Sequence, residues 1–143
     1  MLDIIAAAWG WKGMQPVELV MQNAFGNVVF KDNQWRYWRV CPEELTCEVI
    51  AGSEAAFEQL RLDDEFTMDW RMERLVKLAE EQLGPVAGDR CYCLKMPAVL
   101  GGQYAAENLG TISRREVIAF AGDLARQINH LPDGNKIRLR VAD

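Results

Sequence analysis

Hydrophobic positions switch period twice along the chain. Behind Pro16, a residue that suits a strand start, Val17, Leu19 and Met21 share one face of an extended run. Asn23 to Asn27, with Gly26 inside it, reads as a turn. Val28-Val29-Phe30-Lys31 and Trp35 to Val40 then flank Asp32-Asn33, two residues that tolerate left-handed dihedrals, which predicts a tight hairpin. Leu45 to Ile50 adds a fourth strand, so the first 50 residues read as strands and turns. Their short connections leave no room for parallel crossovers, so the strands form an antiparallel meander.

The period then becomes helical. Ser53 is placed to cap a short helix carrying Ala56, Phe57 and Leu60, and Leu62-Asp63-Asp64-Glu65 follows as an acidic loop. Met68, Met72, Leu75, Val76, Ala79 and Leu83 make one stripe, predicting a second helix from about Thr67 to Leu83, ended by Gly84-Pro85. Arg90 to Met96 reads as a strand, Pro97 to Gly102 as a bend, and Leu109 to Ile112 as a short strand. Ser113 and Glu116 have the spacing of a capping box. Val117, Phe120, Ala121, Leu124, Ala125, Ile128 and Leu131 then trace a third helix. Pro132-Asp133-Gly134 turns the chain, and Ile137, Leu139 and Val141 alternate with basic residues as a final strand. This succession predicts an α+β fold: an antiparallel β-sheet (meander) with about three helices packed mainly on one face.

A length of 143 residues supports one core, hence a single domain over 1–143. Sixteen Lys and Arg against 21 Asp and Glu give a net charge of −5, which argues against nucleic-acid or anionic-membrane binding. No apolar stretch is long enough to span a bilayer, and Met1-Leu2-Asp3-Ile4-Ile5 lacks the basic start of a signal peptide, so a cytoplasmic location is expected.

Catalytic chemistry finds little support. His130 is the one histidine, at the end of a predicted helix, where imidazole commonly caps the dipole. Ser53 and Ser113, the only serines, already have capping roles. Cys41, Cys47, Cys91 and Cys93 lack metal-site or C-x-x-C spacing and read as core thiols, with Cys91 and Cys93 on one strand face. Asp63-Asp64-Glu65 lacks the periodicity of a calcium loop, and Gly101-Gly102 lies in no phosphate-binding pattern. No catalytic residue, metal or cofactor is called for.

Charge is distributed unevenly. Residues 43–81 hold twelve acids and four bases, a net −8. Such a segment steers a basic partner, or else simply solvates the surface. Trp35 and Trp38 fall on opposite strand faces, so one belongs in the core while the other faces out, and an exposed Trp70 beside Asp69 would suit an interface anchor.

The segment Tyr92 to Tyr104, containing Pro97-Ala98-Val99-Leu100-Gly101-Gly102, followed by Glu107-Asn108-Leu109 and Ile118-Ala119-Phe120, resembles a bacterial family signature. That family is the C-terminal domain of type VI secretion immunity proteins that guard against DNase effectors, a domain often found with GAD-like domains. Trp9-Gly10-Trp11, Phe25-Gly26-Asn27, Trp38 to Pro42 and Leu131 to Gly134 are similar to its compact members. The resemblance implies a non-enzymatic immunity protein that binds and neutralises a cognate toxin. Leu100, Gly101, Gly102, Asn108 and Leu109 carry the motif and are expected to be structural. Occlusion by an acidic surface would compete with phosphates for the toxin's Arg and Lys groups, with Glu58, Asp63, Asp64, Glu65, Asp69 and Trp70 as the charge-based contacts. The expected complex is 1:1, with a monomeric protein. An adaptor of SMI type that binds a resident protein is the competing reading, and a small hydrolase or metalloenzyme the third.

Overall fold

The computed structural model describes residues 1–129. Strands β1 (Pro16–Gln22), β2 (Val28–Asp32), β3 (Tyr37–Cys41) and β4 (Thr46–Ala51) form one antiparallel sheet in the order of the chain. A second, two-stranded antiparallel sheet pairs β5 (Arg90–Leu94) with β6 (Leu109–Ser113). Among the described residues there are five α-helices, α1 (Leu2–Trp9), α2 (Glu54–Arg61), α3 (Asp64–Arg71), α4 (Glu73–Leu83) and α5 (Arg114–Ile128), besides short 3-10 turns. The α+β class and the meander are those read from the sequence. The strand expected around Ile137, Leu139 and Val141, the turn at 132–134 and the cap at His130 lie outside the described residues.

Helices cover both faces of the larger sheet, because two sets of alternating residues need burial. Val28, Phe30, Trp38, Val40 and Cys47 point to one side, against Ile5 and Trp9 of α1 and Val117, Ile118, Ala121, Leu124 and Ala125 of α5. Cys91 and Cys93 also pack here, as thiols that burial pushes up, Cys91 to about 12. Gly122 lets α1 close on α5: a Cβ there would lie 2.5 Å from the Ala8 carbonyl oxygen. On the other side Val29, Tyr37 and Ala51 pack under Phe57 of α2 and Trp70 of α3. Phe57 stacks on Tyr37 with ring centroids 4.3 Å apart, which fixes α2 to the sheet. A third cluster joins Ala79 of α4 to Phe25, Tyr92, Leu94 and Leu109.

Four local expectations are corrected. The first nine residues contain a helix, which the unbroken apolar run Ile4 to Ala8 conceals from any periodicity test. In β1, Val17 is exposed, because register shifts at Pro16/Glu18 and Leu19/Met21 break its alternation. The β2–β3 turn is longer than Asp32-Asn33, and its left-handed residue is Trp35, at φ 63°. The long helix from Thr67 to Leu83 is two helices meeting at Met72, whose φ is 49°, and the first begins in the supposed acidic loop. Asp63 caps it, its Oδ1 accepting from Phe66 N at 3.1 Å. The break re-aims the chain: α3 lays Trp70 on the sheet while α4 lays Ala79 on the β5–β6 cluster. Asn23 supports the joint by donating from Nδ2 to the Trp70 carbonyl at 2.9 Å.

Candidate functional site

The larger sheet's second face is only partly covered. Where α3 ends, a cleft of about 330 Å³ opens between β3, β4, the α3–α4 joint and Tyr104. Strand alternation brings Arg39 and Cys41 from β3 and Thr46, Glu48 and Ile50 from β4 into it. The turn Pro42–Glu44 adds Glu43 and Glu44, and Asp69 and Met72 close the far wall. Four of these lining residues are acidic and one, Arg39, is basic.

The floor is a fixed polar chain. Glu43 is buried, and the Asn27 amide donates to both of its carboxylate oxygens at 2.9 Å. Arg39 Nε donates to Asn27 Oδ1 at 3.0 Å, and its guanidinium pairs with Asp69 and lies 5.1 Å from the Trp70 ring centroid. Burial pushes the Glu43 carboxyl above its ordinary range, against the pull of the Asn27 hydrogen bond. Burial first, and then the neighbouring Glu43, push the Cys41 thiol up as well, which leaves it un-ionised and a poor nucleophile. Tyr104 donates to Glu44 across the mouth, and burial with that bond raises its phenol.

Beside the cleft, the bend after β5 is tied by Asn108. Its Oδ1 accepts from Met96 N at 2.9 Å, and its Nδ2 donates to the carbonyls of Met96 and Gln103, both at 2.9 Å. Gly102 lies against the Met96 carbonyl, where a Cβ would come within 1.8 Å of the oxygen. Gly101 has φ 98°, and Leu109 is fully buried. This bend leaves Val99 and Tyr104 exposed, and Phe120 of α5 is exposed next to it. Phe120, Pro97, Pro42 and Glu43 line one small hollow, so an apolar rim adjoins the acidic cleft.

Of the six charge-based candidates, only Asp69 lines the cleft. Trp70 is withdrawn from the surface: it is buried and stacked against Phe66. Asp63 is engaged as a helix cap, while Asp64 and Glu65 stand exposed in the first turn of α3, where the helix dipole favours them. Glu58 is exposed on α2, 3.5 Å from Arg61. Glu43, Glu44 and Glu48, which line the cleft, are not among the charge-based candidates. Their signal was weak: Glu48 is one polar position among Thr46, Glu48 and Ile50, and Glu43-Glu44 reads as an ordinary turn until folding brings both against Asp69.

Among the described residues no group of three His, Cys, Asp or Glu is placed to hold a metal ion, and no helix is long and apolar enough to cross a membrane.

Residues 51–125 match the family model described as T6SS immunity protein Tdi1, C-terminal. No curated protein sequence matches the chain. Among solved structures, the fold resembles the "Crystal structure of Atu4351 from Agrobacterium tumefaciens" with a TM-score of 0.57 and 17% identity over 85% of this chain. The chain spans 62% of that protein's length, and the likeness at this identity is one of fold.

Proposed function

Because the chain belongs to the type VI secretion immunity protein family of the Tdi1 C-terminal domain, whose general role is to neutralise a toxin, we propose that it binds its cognate effector through the acidic cleft. The bound protein covers the effector's active or substrate-binding surface. One observation carries this reading: Glu43, Glu44, Glu48 and Asp69 line one cleft in which, among the described residues, Arg39 is the only basic lining residue. A protein that handles phosphate-bearing substrates presents Lys and Arg, and an acidic cleft offers those groups the charge they otherwise meet on substrate. Exposed Asp64, Glu65 and Glu58 extend the negative field that speeds encounter, and Val99, Tyr104 and Phe120 supply apolar contact at the rim. Inhibition by occlusion needs no catalytic residue or cofactor in this chain. The expected complex is 1:1, formed in the cytoplasm of the protected cell.

The test reverses charge at the mouth while leaving the buried floor alone. Glu44→Lys with Glu48→Lys changes two exposed side chains, so the fold should survive. Affinity for the effector is expected to fall at least about tenfold at low salt and by less at high salt, with loss of protection when toxin and variant are co-expressed. Undiminished affinity at low salt would overturn the cleft as the contact.

A further inference from the structure

The tip of the β2–β3 hairpin carries a residue its own backbone disfavours. Trp35 has φ 63° and is 69% exposed. A short hairpin loop that ends on a left-handed residue ordinarily places Gly or Asn there, because a side chain crowds the following carbonyl. The loop itself does not need the indole. Asp32 Oδ1 accepts from the backbone N–H groups of Gln34 and Arg36, both at 2.9 Å, and Trp35 N donates to the Asp32 carbonyl at 3.1 Å. Asn33 N also donates to the carbonyl of Gln15, just before β1, at 2.9 Å, so the tip is held from that segment as well. Glycine at 35 would keep every one of these bonds and remove the strain.

The ring gains little in return within the chain. Lys31 Nζ lies 5.1 Å from its centroid, a contact worth little at an exposed site, and the same ammonium is already paired with Glu18 at 2.9 Å. Local structure thus leaves a strained, exposed indole on a rigid loop without a stabilising reason, and strain kept in a fixed loop points to use. A rigid aromatic with few torsions is the side chain that most often dominates a protein interface.

We propose that Trp35 is an aromatic anchor that inserts into an apolar pocket on the effector, a second contact beyond the acidic cleft. This rests on the effector-binding reading above. The tip suits such a pocket because its charges cancel locally: Lys31 pairs with Glu18 and Arg36 with Asp32, unlike the negative cleft. Trp35 stands four to six residues before Arg39 and Cys41 on the same strand path, roughly 13–20 Å. One interface of ordinary size, roughly 30 Å across, can reach both.

The test uses Trp35→Gly, with Trp35→Phe as the ring-retaining control, in the full chain. The probe is the toxin domain of the cognate effector, with Kd and Tm measured together. The expected result is a Tm unchanged or raised by Trp35→Gly with Kd weakened at least about tenfold, and Trp35→Phe binding closer to the parent. An unchanged Kd overturns the proposal, and weaker binding accompanied by a lower Tm assigns the ring to the hairpin's own stability and overturns it as well. If the parent chain does not bind the toxin domain at all, the effector reading fails and takes this inference with it. If the parent binds and Glu44→Lys with Glu48→Lys weakens it while Trp35→Gly does not, only the anchor is lost.

Discussion

Asp32→Ala is expected to destabilise the protein by roughly 3–5 kcal/mol, a drop in Tm on the order of 10 °C or more for a chain of this size. Asp32 is fully buried, and each carboxylate oxygen accepts two bonds. Oδ1 takes Gln34 N and Arg36 N at 2.9 Å, and Oδ2 takes Arg36 Nε and the Trp38 indole N–H at 2.8 Å. Alanine leaves all four donors without an acceptor. The Arg36 guanidinium, part-exposed, can turn to water, but Trp38 belongs to the core beneath the sheet and its indole N–H cannot. Removing the guanidinium alone, Arg36→Ala, should therefore cost about 1 kcal/mol or less. Burial by itself would raise the Asp32 carboxyl; the four donors outweigh it and hold the group below its ordinary value. A carboxyl lowered in the folded state contributes stability that is complete above its unfolded value, about 4, and is lost as pH falls through the folded value. The stability gap between parent and Asp32→Asn should accordingly narrow in acid. Denaturant unfolding as a function of pH checks both statements; a loss under about 1 kcal/mol for Asp32→Ala would refute the account of the hairpin as built around this carboxylate.

Gly102→Ala is the second large effect, expected at about 2–4 kcal/mol. The added Cβ would sit 1.8 Å from the Met96 carbonyl oxygen and 2.9 Å from Asn108 Nδ2. Neither atom is the loose end of a flexible chain: the carbonyl accepts from that same Nδ2, and Met96 N donates to Asn108 Oδ1. Relief requires the bend to move by more than an ångström, which breaks the Asn108 bridge and opens the backbone groups it satisfies. Gly101→Ala, where a Cβ meets nothing within 4 Å but φ is 98°, should cost about 1 kcal/mol through backbone strain alone. Thermal melts of the two variants distinguish a steric clash at 102 from general glycine flexibility; equal losses would contradict the packing argument. Hydrogen exchange at Met96 N should rise in Gly102→Ala, since its acceptor is the side chain that must be displaced.

What a residue shows about itself and its near neighbours was legible in the sequence. The meander follows from short connections and alternating runs, and Ser53 and Ser113 cap α2 and α5 as their spacing indicates, accepting from Ala56 N and Glu116 N. The bend at Pro97 to Gly102 and the strand after it follow from Pro, paired Gly and an apolar run. The resemblance carried by Leu-Gly-Gly and Asn-Leu is that of the family to which residues 51–125 belong. Those features rest on backbone chemistry within a few positions, and a sequence states them directly.

The tertiary structure decided the rest, because the outcome depended on groups far apart in the chain. The helical stripe through Met68 to Leu83 is continuous on paper, yet two separate cores pull on its two halves, and Asn23, 47 residues before Trp70, takes the carbonyl at the joint. The local charge count pointed to Asp63, Asp64 and Glu65, but net charge along a segment says nothing of which carboxylates converge. Glu43, Glu44 and Glu48 meet Asp69 only because sheet pairing and the α3–α4 break bring a turn, a strand and a helix end to one cleft. Which tryptophans are buried was decided in the same way: Trp38 enters the core while Trp35 stays out, and Trp70 is covered. The sequence offers five tryptophans as equals; long-range packing buries the one beside the acids and leaves Trp35 strained and in solvent, since only the assembled core has room for a given ring.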